Sequence, residues 1–397
     1  MLLFDAGIRT ELGWKTESES TFAYCNRSAR PSVVAFRKLI EDWFNRFDDE
    51  GKKDLRERFR SPKEPNHVCA FFEIYLHELF CGIGFELQPH PAIRGCGTHP
   101  DYVVSNSGAN QFYLEATLAS LPSQQEQGAN ARMGIVYDAI NTIESPNFFL
   151  GLEIQGAPNT APPTRRLRRD LMGWLASLNP DYILQLHSAG RDSEVPFFPW
   201  RHEGWSLLFK PIPKSSKLRG QPGVRPIGMR MPEGGWMNTH GEIRKALENK
   251  AKKYGELELP FIIAVNVVAN HCDNIDIMNA LYGDESILVT QAADGGLTER
   301  NERKLNGAWI GPQGPRNLLV SGALIFAGLG PWSMGIVTPE LFHNPWAQRP
   351  LPVSSWPLPY CVADLAAKRV RHEHGKTARE VLDLPTQWPV PDTDAGE

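Results

Sequence analysis

A predicted β-hairpin between His99 and Thr117 constrains the fold of this chain more than any other segment does. Two runs in which apolar and polar residues alternate are separated by turn-forming residues around Gly108. A hairpin centred on that glycine places Asp101 directly opposite Glu115. One face of this hairpin is apolar and carries Tyr102, Val104, Phe112 and Leu114. The segment therefore predicts two antiparallel strands with a pair of acidic residues facing each other near their ends.

The two opposed acids indicate a site for a divalent cation. Directly opposed residues of a sheet have Cβ atoms roughly 5 Å apart, so the like charges of Asp101 and Glu115 destabilise the pair unless something compensates them. Mg²⁺ prefers oxygen ligands and is commonly bound by one or two carboxylates together with water and phosphate. The alternative is that both acids lie at the end of a hairpin and are simply solvated.

Helix and strand patterns around this hairpin indicate an α/β protein with a mixed sheet. Helices are predicted at about residues 31–47, 68–82, 125–143 and 241–254. Strand-like runs occur at residues 85–90, 101–105, 111–119, 147–155 and 260–268. The last of these runs is almost unbroken in apolar, largely β-branched residues, which is typical of a strand buried on both faces. The first part of the chain thus follows the order helix, three strands, helix, strand.

This order and its acidic residues resemble the PD-(D/E)XK nuclease superfamily. Pro100 and Asp101 are followed by Glu115-x-Thr117 on the next strand and preceded by a helix that bears Glu73. The resemblance covers about residues 64–155 and implies a restriction-endonuclease-like core. It implies that Asp101 and Glu115 bind Mg²⁺ or Mn²⁺ and that Glu73 is a direct or outer ligand. Segments at 165–175, 250–266 and 341–352 are also similar to a larger family of bacterial proteins that carry this core.

Thr117 departs from the motif, because the superfamily has a lysine at this position. A hydroxyl group cannot supply the missing positive charge, so a cation from another segment would have to replace it. The candidates are Arg132 on the following helix and Lys250, Lys252 and Lys253 near the end of the helix at 241–254.

Two functions are therefore expected from different classes. The first is a metal-dependent nuclease in which Asp101, Glu115, Thr117 and Glu73 form the catalytic site and hydrolyse DNA phosphodiester bonds. The second is a catalytically degenerate nuclease fold that only binds nucleic acid or a protein partner. The two differ in whether a cation lies near the carboxylates of Asp101 and Glu115.

Local basic segments suggest where DNA would bind. Residues 210–230 contain six positive residues and no acid, namely Lys210, Lys214, Lys217, Arg219, Arg225 and Arg230. A second cluster occurs at Arg165, Arg166, Arg168 and Arg169. In a chain of net charge −4, such local concentrations are typical of a groove that follows a phosphate backbone. The alternative is a solvated loop and a helix with internal salt bridges.

A zinc site elsewhere has partial support from the sequence. His77, Glu78 and Cys81 imitate part of a zinc-protease helix, since residues four apart share a face. Other thiols and imidazoles occur near them in the sequence at His67, Cys69, His90, Cys96 and His99. The third ligand of the zinc-protease motif and its second histidine are missing, so packing of these residues in the core is the favoured interpretation.

Composition sets the remaining bounds. The chain has 397 residues, 41% hydrophobic and 22% charged, which is typical of globular proteins and excludes disordered or collagen-like ones. We expect an N-terminal helical cap at 1–60, the nuclease-like core at 61–157 and an α/β extension at 158–397. The six cysteines form no Cys-x-x-Cys pair, which predicts reduced thiols. Since no apolar run is long enough to span a membrane and no secretory signal is seen, a cytoplasmic protein is expected.

Overall fold

The structure is a computed structural model, and the residues that it describes are 1–47, 49–93, 97–221, 224–232, 238–269, 271–291, 297–353, 356–367 and 369–392, with residues 49, 50 and 232 described for their backbone alone. The helices of these residues are α1 (Thr21–Arg27), α2 (Pro31–Arg46), α3 (Asp49–Phe59), α4 (Glu64–Gly82), α5 (Gln124–Asn141), α6 (Thr164–Ala176), α7 (Pro180–Ser188), α8 (Thr239–Ala251), α9 (Asn274–Tyr282) and α10 (Ala378–Val381). The strands are β1 (Glu86–Pro89), β2 (Tyr102–Asn106), β3 (Ala109–Ala119), β4 (Phe148–Gln155), β5 (Phe198–His202), β6 (Trp205–Pro213), β7 (Ile227–Pro232), β8 (Phe261–Val267), β9 (Glu285–Gln291), β10 (Leu297–Arg303), β11 (Ile310–Gly311), β12 (Gly314–Pro315), β13 (Gly322–Ala327), β14 (Glu340–His343), β15 (Tyr360–Asp364) and β16 (Arg369–Glu373).

A mixed eight-stranded sheet in the order β1-β2-β3-β8-β13-β14-β15-β16 confirms the predicted α/β class. Its centre is β8, which pairs in parallel with β3 on one side and with β13 on the other. Every residue of β8 is buried, as its apolar, β-branched sequence predicts for a strand covered on both faces.

Helices cover both faces of this sheet. Phe36 of α2 and Phe72 of α4 pack in one apolar cluster with Leu114 of β3. On the opposite face, Leu247 of α8 packs in a second cluster with Val265 of β8. None of the helices in the described part of the chain is long and apolar enough to cross a membrane.

The chain forms two compact units, and their boundaries are not the ones expected from the sequence. Met1–Gly13, Ser20–Leu121 and Asn238–Glu397 form the first unit, and Trp14–Glu19 and Pro122–Met237 form the second. Most of the expected cap at 1–60 packs with α4 in the first unit, since Phe36 and Phe59 share a cluster with Phe72, while Trp14–Glu19 belong to the second unit. The expected boundary at 157 falls inside the second unit.

The strand at 148–155 does not belong to the large sheet, which contradicts its predicted place in the nuclease-like core. This strand, β4, belongs to a separate sheet of the second unit, in the order β5-β6-β4-β7. Its residues Leu150 and Leu152 pack with Val136 of α5 and Leu167 of α6 in a third apolar cluster. The strand that lies beside β3 is β8, and the helix before it is α8. The first unit thus follows the order α4, β1, β2, β3, α8 and β8, with Pro122–Met237 inserted after β3.

Candidate active site

The hairpin of β2 and β3 has the predicted register at its acidic end. Tyr102 pairs with Leu114 and Val103 pairs with Tyr113, which aligns Asp101 with Glu115. A bulge after Val104 shifts the pairing by one residue before the turn. Within the turn, Ser107 and Gly108 have φ angles of 51° and 77°, the left-handed conformations of a tight hairpin turn.

Asp101 lies immediately before β2 and is half-buried. Its Oδ2 accepts a hydrogen bond of 2.7 Å from the backbone N–H of Ala116, so the carboxylate is tied to the strand that carries Glu115. Burial and then the negative charge of Glu115 raise the pKa of Asp101 to about 6, although the Ala116 N–H acts in the opposite direction. Both causes disfavour the ionised form of Asp101, burial through loss of hydration and Glu115 through repulsion between like charges.

Glu115 is fully buried, at 0% exposure, and accepts hydrogen bonds from three side chains. Its Oε1 accepts from Lys250 Nζ at 2.5 Å and from Lys253 Nζ at 2.9 Å. Its Oε2 accepts from the hydroxyl of Tyr254, whose oxygen also lies 2.8 Å from the carbonyl oxygen of His99. Burial opposes ionisation of Glu115, but these contacts outweigh it and hold its pKa below the ordinary value.

Lys250 comes from the last turn of α8 and Lys253 from the residues just after it, and both bring positive charge close to Glu115, two positions before Thr117. Lys253 lies two residues beyond the end of the helix, and both amines donate to the same oxygen of Glu115. Thr117 itself pairs with Val265 of β8. Of the other two candidate cations, Lys252 is exposed and Arg132 lies in the second unit, where it donates to Pro158 O at 2.8 Å.

Glu73 is held by Arg58, a residue that sequence reasoning did not select. The guanidinium of Arg58 donates to both carboxylate oxygens of Glu73 at 2.6 and 2.8 Å, and to Asp54 at 2.7 Å. Within the described residues, Glu73, Asp101 and Glu115 form no group in which one oxygen of each lies within 4.8 Å of the others. Glu73 therefore does not converge on a single point with both Asp101 and Glu115.

A cleft of about 210 Å³ lies beside these residues. Asp101, Glu73 and Arg58 all contribute to its walls, together with Asp54 and His90. Acidic and cationic side chains thus line the same cleft. The only signal for Arg58 in the sequence is the highly charged segment in which it lies, and many residues of that segment share the signal.

The six basic residues predicted to bind DNA all lie in the second unit. Four of them contact partners in that unit: Lys210 pairs with Glu153, Arg219 with Asp181, Arg230 with Glu17, and Arg225 donates to Lys15 O. Lys217 is exposed.

The position of Lys214 contradicts the prediction that this residue binds DNA. It is only 2% exposed, and its Nζ donates to Ser145 O at 2.8 Å and lies 5.0 Å from the centre of the Phe149 ring. A side chain held in this way cannot follow a phosphate backbone. In the second basic cluster, Arg166 and Arg169 pair with Asp170, the internal salt bridging that was the alternative expectation.

The residues considered for a zinc-protease site have other partners. His77 Nδ1 lies 3.1 Å from Glu78, which also pairs with Arg46. Cys81 Sγ lies 3.9 Å from His77 Nε2. Groups of three metal-binding side chains occur in the described part of the chain, but none of them contains these residues. Cys96 lies outside the described residues.

Comparison with protein-family models, with curated proteins and with solved structures found no match to this chain.

Proposed function

We propose that this chain is a metal-dependent nuclease that hydrolyses phosphodiester bonds of DNA at Asp101 and Glu115. The observation that carries the proposal is the contact of Lys250 and Lys253 with Glu115. A nuclease of this type needs a positive charge beside its metal-binding carboxylates, and Thr117 cannot provide it. The amines of Lys250, in the last turn of α8, and of Lys253, just after it, meet that need from a different segment of the chain.

The order of elements supports the same proposal. The PD-(D/E)XK core has a helix, three strands, a helix and a strand, and the first unit has α4, β1, β2, β3, α8 and β8. The strand β8 is parallel to β3. The segment Pro122–Met237 then corresponds to an insertion between the third strand and the second helix of such a core.

Each residue of the site has a distinct role in this proposal. Asp101 and Glu115 would hold Mg²⁺ or Mn²⁺, which when bound supplies a Lewis acid for the scissile phosphate and a water of lowered pKa. Lys250 and Lys253 stabilise the negative charge that develops on the phosphate oxygens. Tyr254 fixes the orientation of the Glu115 carboxylate through its hydroxyl.

The cleft gives the proposal a route for substrate. Arg58, oriented by the bidentate contact with Glu73, places a guanidinium in the cleft that Asp101 also lines. A guanidinium forms charge-assisted hydrogen bonds with phosphate oxygens, and such contacts carry no sequence information. We therefore propose that the cleft takes the DNA backbone, and that the enzyme acts on cytoplasmic DNA.

The alternative is a module that keeps this fold for binding alone. The observation that favours it is that both oxygens of Glu115 already accept hydrogen bonds inside the protein. A carboxylate of this kind can be a structural partner of two lysines and bind no metal.

Cleavage of supercoiled plasmid and of single-stranded DNA, with Mg²⁺ or Mn²⁺, tests the proposal. We expect Asp101→Asn to abolish cleavage and Lys250→Met to lower its rate at least about 100-fold, since one lost electrostatic contact to the transition state has this effect. Lys252→Met changes an exposed neighbour of the same length and is expected to retain activity.

Thermal melting separates the two functions. A cation that binds only the folded protein raises its melting temperature, so Mg²⁺ or Mn²⁺ should stabilise the wild type and not Asp101→Asn. Folded wild-type protein that cleaves neither substrate and shows no stabilisation by either ion would contradict the proposal and favour the binding module.

A further inference from the structure

Three strands near the far edge of the large sheet bring together a carboxylate, a thiol and an imidazole. Glu340 lies on β14, Cys361 on β15 and His372 on β16. Cys361 pairs with Phe342 on one side and with His372 on the other. Because alternate residues of a strand share a face, Glu340 lies on the same face as Phe342, and therefore as Cys361 and His372.

The three potential ligand atoms are close to one another. One oxygen of Glu340, the Sγ of Cys361 and a ring nitrogen of His372 all lie within 4.8 Å of each other. The contact between His372 Nδ1 and Glu340 Oε1 is a hydrogen bond of 2.6 Å. Three donor atoms from three strands thus converge on one point without any change of the backbone.

We propose that Glu340, Cys361 and His372 bind a zinc ion. Tetrahedral zinc with its usual bond lengths separates neighbouring ligand atoms by about 3.3–3.6 Å. The nitrogen and oxygen would therefore move apart by about 1 Å, while the sulfur stays within its present range. The side chains of His372 and Glu340 are 41% and 26% exposed, so both have room to make this adjustment.

The donor types select the metal. Sulfur, nitrogen and oxygen donors together suit zinc, whereas Mg²⁺ and Ca²⁺ prefer oxygen alone. Cys361 is fully buried, and its Sγ lies within 4.8 Å of a Glu340 oxygen and of a His372 ring nitrogen. The edge of the Phe342 ring lies against His372, with ring centres 6.3 Å apart, and orients the imidazole.

Three protein ligands leave the fourth position of a tetrahedral site open. Such sites hold zinc that keeps a water or takes up a small ligand, in contrast to structural sites closed by four side chains. A cleft of about 650 Å³ has Ala363 and Val370 in its wall. These two residues pair with each other two positions beyond Cys361 and His372, on the same face of the sheet. The pair of Cys361 and His372 is thus the next pair on this face of the sheet to one that lines a space large enough for a ligand.

This site is separate from the one proposed for DNA cleavage, because it shares no residue with it and uses different donors. Zinc is titrated into the full-length, metal-free protein in the presence of excess Mg²⁺, which competes for all-oxygen sites. Co²⁺ is titrated in parallel, since its bond to a thiolate produces a charge-transfer absorption. We expect one zinc per chain and the thiolate absorption with cobalt.

Variants decide which residues bind the metal. Cys361→Ala is expected to remove the cobalt absorption, and His372→Gln to weaken zinc binding at least about 100-fold, because even outer-shell changes weaken metal sites 10- to 100-fold. His374→Gln, an exposed histidine two residues later, and Asp101→Asn should bind zinc as the wild type does.

Absence of zinc binding by the wild type would overturn the proposal, as would a cobalt absorption that survives in folded Cys361→Ala. Circular dichroism of the metal-free variants reports whether each one folds. Should the buried Cys361→Ala variant fail to fold, the exposed His372→Gln decides alone, and unchanged zinc affinity in that variant rejects the site.

Discussion

Single residues near the acids show how far local sequence rules extend. Alternation along a strand is a local property, so the facing positions of Asp101 and Glu115 could be predicted from the sequence alone. The positions of Tyr254 and Arg58 in the site could not be predicted. Tyr254 comes from a segment distant in sequence, and Arg58 lies in a helix whose sequence pattern indicates only charge. The lysines of α8 were among several candidate cations, and only the fold distinguishes Lys250 and Lys253 from Lys252.

The pKa of Asp101 makes a prediction for stability as a function of pH. Its folded-state pKa is raised from 3.8 to about 6, so between these values the folded protein binds more protons than the unfolded chain, and the free energy of unfolding falls as pH rises. Asp101→Asn cannot ionise. Without added metal, the free energy of unfolding of Asp101→Asn should therefore rise by about 2–3 kcal/mol relative to that of the wild type between pH 4 and pH 7.

Urea denaturation of both proteins across this pH range measures the difference. Asp54→Asn, which alters a more exposed acid of the same cleft, is the matched control and should show a smaller change. A constant difference between Asp101→Asn and the wild type from pH 4 to pH 7 would contradict the raised pKa.

Glu115 should contribute to stability, unlike an acid that only repels its neighbour. Glu115→Gln leaves the amines of Lys250 and Lys253 without their negative partner, but these amines are partly exposed and can turn toward water. We expect a loss of about 1–3 kcal/mol in the free energy of unfolding, the range for buried hydrogen bonds to charged groups. Urea denaturation at pH 7 measures it, with exposed Glu256→Gln as control; a variant as stable as the wild type would refute this role.

At the scale of elements, periodicity identified the helices and strands better than it assigned their neighbours. The predicted helix at 125–143 and strand at 147–155 exist as α5 and β4, but they build the second unit. Both the strand at 148–155 and the strand at 261–267 are apolar and follow a helix, so either one could complete the core on local grounds. The parallel pairing of β3 with β8 is a long-range choice that the pattern does not encode.

Whether a lysine of α8 takes the place of the motif lysine on β3 can be tested directly. If Lys250 of α8 replaces the motif lysine of β3, then Thr117→Lys should restore part of the cleavage activity that Lys250→Met removes. Thr117→Met in the same background has similar length without charge and should restore nothing. Plasmid cleavage by the two double variants, both checked for folding, provides the comparison. Equal inactivity of both would show that the amines act only from α8.

At the scale of the whole molecule, the two units have separate apolar cores. The third cluster, with Leu150 and Phe209, consists of residues of the second unit, while β8 packs within the first. Local disturbances of one unit should therefore leave hydrogen exchange in the other unchanged.

Lys214 tests this independence. Lys214→Glu places a negative charge in a buried position beside Ser145 O and should destabilise the second unit by several kcal/mol. Hydrogen exchange followed by mass spectrometry should show faster exchange in peptides from β4 and β6 and unchanged exchange in β8. The exposed Lys217→Glu is the control. Faster exchange throughout the chain would contradict separate units.

The insertion of Pro122–Met237 after β3 also sets the order in which the site is made during translation. The ribosome releases Asp101 and Glu115 first, then the inserted segment Pro122–Met237, and only afterwards Lys250 at the end of α8 and Lys253 just after it. Domains fold as they emerge, at about 5–20 residues per second. Asp101 and Glu115 are thus synthesised several seconds before Lys250 and Lys253. A nascent chain acquires its proposed catalytic charge only after the inserted segment has been synthesised.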